Sequence, residues 1–358
     1  MNEGCTDNLI DRQTDRQTDR RNTSIDLIRI LACVAVVGLH STKLQYDNML
    51  SASTLYYLCG FAIPFFFMTS GYFLLNRGPI DVRYTIKKCI KILRLVVLWN
   101  VIFCMLKLVA QMAFGETITI GIVAIVEEIV KSLVQKGQMW QFWYLGALLI
   151  LYCLLPIITR LNQKWQRLVL IIAGIVSIGI EVISYCMGQP IQKNVIQTFR
   201  LWTWVFYFVL GGFICRKAST EMKFISFRVH GIVLLIYTVL LMVFQNYAGR
   251  MLIHETSTGL LHAEYFYDDI FEMIWVILLF TFLLRIDCRK TEDLITRLAS
   301  LSLGIYIVHP KILSLVGKVV DKETIVEIVI LWIATLVLST IVVEIIKKTP
   351  VGKYLIRV

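Results

Sequence analysis

Charge is scarce in this sequence. Asp, Glu, Lys and Arg make up 17% of its 358 residues, against the ~25% usual for soluble domains. With 57% hydrophobic residues and a mean hydropathy of +0.71, the composition excludes an ordinary soluble globular chain. The net charge of +11 does not point to nucleic acid. That reading needs base- and phosphate-contacting residues clustered on a soluble surface, whereas these cations stand in short stretches between apolar runs. None of the nine cysteines is in a Cys-x-x-Cys pair. Most lie in or beside apolar runs and read as small buried hydrophobes. No small-residue cleavage site follows the N-terminal charges, so these are not a secretory signal.

What is present is a run of apolar segments. Residues 1–24 precede them and repeat Asp-Arg-Gln-Thr from Asp11 to Arg20. Lacking an apolar face, this stretch is expected to be a disordered tail on the cytoplasmic side, its start codon open to question. From Ser24 onward, ten segments have the ~17–25 residues needed to cross the hydrocarbon: 25–41, 55–75, 95–114, 141–159, 168–187, 199–214, 229–245, 269–284, 299–315 and 324–346. The expected fold is an all-α polytopic membrane protein of about ten transmembrane helices. Residues 25–346 form one membrane domain, and 347–358 a short basic cytoplasmic tail. If the N-terminus is cytoplasmic, the inside segments carry 25 of the Lys and Arg residues and the outside ones 7. That asymmetry predicts both ends inside. Ile118–Val134 has apolar residues at 122, 125, 126, 129, 130 and 133, with Glu127, Glu128 and Lys131 opposite. It reads as an amphipathic helix on the outer surface, because an eleventh crossing would destroy the charge asymmetry.

Candidate chemistry begins in the first segment. Arg29 and His40 are eleven residues apart, which returns to within about 20° on a helix and separates them by about 16 Å along the axis. A cation and an imidazole on one stripe of a membrane helix belong on a protein interior or a wet cavity. A neutral imidazole can take the proton of an attacking hydroxyl, although a histidine bonded to an interfacial carbonyl gives the same pattern. Ala32, Ala35 and Gly38 form a small-residue stripe that admits a close neighbour. Lys87, Lys88, Lys91 and Arg94 make the densest basic cluster. It suits the phosphates of a nucleotide-like donor or, equally, anchoring to anionic lipid. Trp140, Trp143, Tyr144 and Tyr152 resemble either an interfacial aromatic belt, which composition favours, or a sugar-binding surface. His309 lies deep in an apolar segment before Pro310, which is expected to open the helix and free carbonyls. His254, Glu255, His262, Glu264, Asp268 and Asp269 match no familiar metal-ligand spacing and read as a solvated loop; no metal site is expected.

Together these pieces resemble the acyltransferase-3 family of integral membrane O-acyltransferases. The carrying motifs are Asp26-x-x-Arg29 with His40 eleven residues on, Ser70 to Leu75, the basic pair Lys88 and Lys91, and Phe142 to Leu145 with Leu151, Tyr152 and Pro156. Phe208 to Gly212 and Gly304 to Pro310 complete the match, which covers residues 24–346. The basic pair is more often two arginines in the family. No segment here forms the optional extracytoplasmic hydrolase-like domain, so transfer is expected in the membrane domain.

The resemblance implies a multi-pass protein of the bacterial plasma (inner) membrane. It also implies acetyl-CoA or another acyl-CoA as co-substrate, with no permanently bound cofactor, and a saccharide or lipid-linked saccharide as acceptor. It implies catalytic roles for His40, Arg29 and Asp26, with His40 as general base. Lys88, Lys91, Arg94 and Lys87 are implied for the donor, and Trp143, Tyr144, Tyr306 and His309 for substrate. The rival readings are a transporter or flippase of an envelope precursor and a non-catalytic polymer-assembly factor. A transporter would favour inverted halves, and no repeat relates 25–187 to 199–346.

Overall fold

The computed structural model describes residues 23–42, 50–115, 121–218, 225–251 and 261–356. The N-terminal repeat, His254 and Glu255 lie outside them. Among the described residues the chain is all-helical. The helices are α1 Thr23–Thr42, α2 Leu50–Leu58, α3 Ala62–Leu74, α4 Val82–Ala113, α5 Ile122–Leu133, α6 Trp143–Ile158 and α7 Gln163–Met187. They continue as α8 Leu201–Ala218, α9 Phe227–Met251, α10 Ile270–Leu283, α11 Glu292–Ala299, α12 Ser302–Val316, α13 Ile325–Lys348 and α14 Gly352–Leu355.

Among the described residues, seven helices are long and apolar enough to cross a membrane: Thr23–Thr42, Leu50–Leu74, Val82–Ala113, Trp140–Ile158, Gln163–Met187, Phe227–Gly249 and Ile325–Lys348. The pair Arg289–Ala299 and Ser302–Val316, bent by 52°, makes an eighth if it is one span. The remaining two expected segments coincide with α8 and α10, which do not meet the same test. The chain is a polytopic membrane protein. Its outer helices carry the apolar surface this requires, as where α9 exposes Ile232, Leu235, Ile236, Val239, Leu240 and Val243.

α1 lies at the centre, packed against α2, α3, α10, α11, α12 and α13. Its small-residue stripe does what the spacing predicts. A Cβ on Gly38 would fall 2.6 Å from the Trp332 ring, whose indole N–H donates to the Val34 carbonyl at 2.9 Å. The tightest crossing joins α3 to α8. There Gly71 faces the Phe208 carbonyl and Gly211 the Met68 carbonyl, so that a Cβ at either position would overlap backbone. Dispersion, rather than the hydrophobic effect, holds helices together in lipid, and backbone-to-backbone contact maximises it.

Two local expectations are corrected. The helix does not open at Pro310: α12 runs through it, and the bend falls before it, between Ala299 and Ser302. Side chains serve the nearby carbonyls, with His309 Nδ1 on Ile305 O at 3.2 Å and Gln141 Nε2 on Ile307 O at 2.9 Å. The basic cluster expected to lie between the second and third spans is instead in one helix with the third. At 32 residues, α4 is about 48 Å long and outreaches a hydrocarbon core of about 30 Å, so its basic first turns project beyond.

The amphipathic helix is present as α5. It shows Ile122, Val123, Val126 and Val130 outward while its other side is held to α4 by Asn100 Nδ2 donating to Ser132 Oγ at 3.1 Å.

Candidate active site

α1 presents its polar groups to two cavities at opposite ends of the bundle. The larger, about 440 Å³, lies at the end carrying Asp26 and is lined by Asp26, Arg29, Ser70, Arg77, Tyr84 and Lys88, with Tyr144, Tyr152, Ser302 and Tyr306 among its deeper walls. Its volume is that of a small-molecule site. Arg29 Nη1 is 3.5 Å from Asp26 Oδ1, one helical turn away. Three cations against one carboxylate leave the lining positive, and Tyr84 supports two of them: Arg77 Nη1 donates to its hydroxyl at 3.4 Å, and Lys88 Nζ lies 5.9 Å from its ring centroid.

The smaller cavity, about 80 Å³, contains His40 beside Tyr56, Gln135, Trp140, Trp143, Gln197, Glu264 and Tyr267. Glu264 is held in place: Gln197 Nε2 donates to its carboxylate, and the buried Arg200 stands 3.9 Å from it, with Nε of Arg200 fixed on Val195 O at 3.0 Å.

Between the cavities is a wall of rings. Tyr144 and Tyr306 lie 5.8 Å apart, Tyr306 and His309 6.0 Å, His309 and His40 5.4 Å and nearly parallel, and His40 and Trp140 5.0 Å edge-on. The Tyr306 hydroxyl donates to Gln141 O, locking α12 to the turn that opens α6.

The spacing argument therefore places Arg29 and His40 as expected, on one stripe and at two depths. Of the four donor-site cations, Lys88 lines the larger cavity. Lys87 and Lys91 are exposed outside its lining, and Arg94 packs its guanidinium 4.6 Å from the Tyr354 ring centroid. The helical period rotates these neighbours away. Trp143 and Tyr144, adjacent in sequence, face different cavities. The aromatic-belt reading is overturned for them, since both are buried; Trp143 packs 5.3 Å from Trp204.

The solvated-loop reading of residues 246–268 and Asp269 is also overturned where the loop is described. Asp268 and Asp269 are buried. Asp268 takes bonds from Thr203 Oγ1 and from Trp202 Nε1. Burial pushes its carboxyl above the usual range, while those bonds pull it back. Asp269 caps α10 through Phe271 N at 2.7 Å and accepts from the Tyr185 hydroxyl. Among the described residues no three His, Cys, Asp or Glu side chains group closely enough to hold a metal ion.

Sequence reasoning missed Arg77, Gln135 and Gln197, and had Ser70 only as the start of a family motif. It named Glu264 only as part of the loop; an arginine within the sixth apolar segment, Arg200, was the available signal that a buried partner existed.

Comparison with known proteins bears on what this geometry is for. An acyltransferase-3 model, described as an acyltransferase domain, matches residues 22–344. The serine/alanine racemase of Enterococcus gallinarum is 28% identical over 200 residues, covering 53% of this chain and 26% of that protein. No solved structure matches.

Proposed function

The chain belongs to the acyltransferase-3 family and is a membrane acyltransferase; on that premise we propose that it moves an acyl group, acetyl by preference, from acyl-CoA to a hydroxyl of a cell-envelope saccharide or lipid-linked saccharide. The observation that carries the reading is the pairing of a cationic cavity with a polar one across the wall holding His40 and His309. With the orientation that the Lys and Arg asymmetry supports, the cationic cavity faces the cytoplasm of a bacterial inner membrane, where acyl-CoA is made.

In this reading the donor's phosphates lie with Arg77 and Lys88, and its pantetheine arm runs past Arg29 toward the wall. The thioester reaches His40, and the acceptor enters beside Trp143 and Glu264. His40 removes the proton of the acceptor hydroxyl as its oxygen attacks the thioester carbonyl. The new C–O bond forms, the C–S bond breaks, and the CoA thiolate leaves and recovers the proton. Arg29, steadied by Asp26, offsets donor charge. Tyr144 and Tyr306, in the deeper wall of the cationic cavity, confine the pantetheine arm.

The test is transfer from radiolabelled acetyl-CoA by membranes holding wild type or His40→Ala. Label should enter a saccharide fraction with wild type and fall at least 100-fold with His40→Ala, the scale of a lost general base. Near-wild-type transfer by His40→Ala would refute the assignment.

A further inference from the structure

His309 is fully buried and lies in the lining of neither cavity, yet it is the middle ring of the wall, 6.0 Å from Tyr306 on one side and 5.4 Å from His40 on the other. Its Nδ1 lies 3.2 Å from Ile305 O. A carbonyl only accepts, so Nδ1 carries the proton and Nε2 carries the lone pair. That Nε2 is buried without a hydrogen-bond partner among the described residues. A buried acceptor left unserved is costly, and here the backbone fixes which nitrogen it is.

We propose that His309 Nε2 recognises the pantetheine amide of the acyl donor, accepting a hydrogen bond from the N–H nearest the thioester. The inference rests on the acyl-CoA reading above. In any pantetheine thioester that N–H stands two methylenes from the sulfur and one bond more from the thioester carbonyl carbon. The extended span from amide nitrogen to that carbon is comparable to the 5.4 Å between the two rings. A thioester held at His40 thus brings the amide alongside His309. The donor is then selected at the wall by the polarity of its arm, not only by charge at its phosphates. His309 binds and moves no proton.

The probes are S-acetyl-N-acetylcysteamine, which carries this amide, and its analogue with an ester oxygen in place of the amide nitrogen. Wild type should prefer the amide by about tenfold in kcat/KM, which corresponds to about 1.4 kcal/mol. His309→Asn keeps a donor for Ile305 O but removes the acceptor, and should abolish the preference and weaken acetyl-CoA binding. His309→Gln, which can place an amide oxygen near Nε2, should restore part of both. Equal use of the two probes by wild type, or an unchanged preference in folded His309→Asn, overturns the proposal while leaving the acyl-CoA reading standing. An effect of His309→Asn confined to KM for the acceptor would assign Nε2 to the acceptor hydroxyl instead and overturns it too. Wild type that neither binds acetyl-CoA nor uses either probe would overturn both.

Discussion

Arg29 and His40 share one helix stripe and serve different cavities, so their substitutions should separate kinetically. Arg29→Ala should raise KM for acetyl-CoA by roughly tenfold, the worth of one charge-assisted contact, and leave KM for the acceptor unchanged. Steady-state kinetics varying each substrate in turn checks this, and an equal rise in both KM values would count against two separate cavities. Asp268 supplies a second prediction at this scale. Asp268→Ala strands Thr203 and Trp202 without the carboxylate they donate to; Gln192 Nε2 keeps Glu181 at 2.6 Å. At about 1–3 kcal/mol for each unserved buried group, the detergent-solubilised variant should melt several degrees lower. An unchanged melting temperature would show the network to be dispensable. Arg29 and His40 were legible because helical period and the cost of polar groups in lipid act through sequence separation alone, whereas Tyr306 was reached only through the family resemblance. Glu264 and Gln197 were not, because loops from distant segments bring them beside His40 and no periodicity records that meeting.

At the scale of the element, the crossing of α3 and α8 depends on two absent side chains. A Cβ at Gly211 would come 2.0 Å from Met68 O, so Gly211→Ala must push the helices apart. It should lower thermal stability sharply or prevent recovery of monodisperse protein, whereas Gly121→Ala, with open space around its position, should have no effect. Size-exclusion profiles and melting curves of the pair settle the point, and equal behaviour would disprove the close approach. The seven spanning helices among the described residues, each overlapping one of the ten expected apolar segments, could be read because a span must satisfy its backbone internally. Their ends were harder. α4 continues through a basic stretch that hydropathy marks as a loop, since Lys and Arg are good helix formers whose charge does not interrupt backbone bonding. The α12 helix passes through Pro310, with neighbouring carbonyls served by the His309 ring and the Gln141 amide. Those contacts belong to tertiary packing, and the local rule for proline could not include them.

The whole molecule is a wall of rings with a cationic cavity on one side and a polar one on the other. Residue types suggested both faces; the separation of Trp143 from Tyr144 and the small number of cations lining the cavity required the fold. The central claim is that an acyl group crosses this wall in one direction, and sealed vesicles test it most directly. Inverted vesicles expose the side assigned to the cytoplasm, and saccharide acceptor can be sealed inside them. Radiolabelled acetyl-CoA added outside should label the enclosed acceptor with wild type and not with His40→Ala. Right-side-out vesicles given the same donor should stay unlabelled. Label appearing from the right-side-out face, or none from the inverted face of verified folded protein, would contradict the account and bring the transporter reading forward.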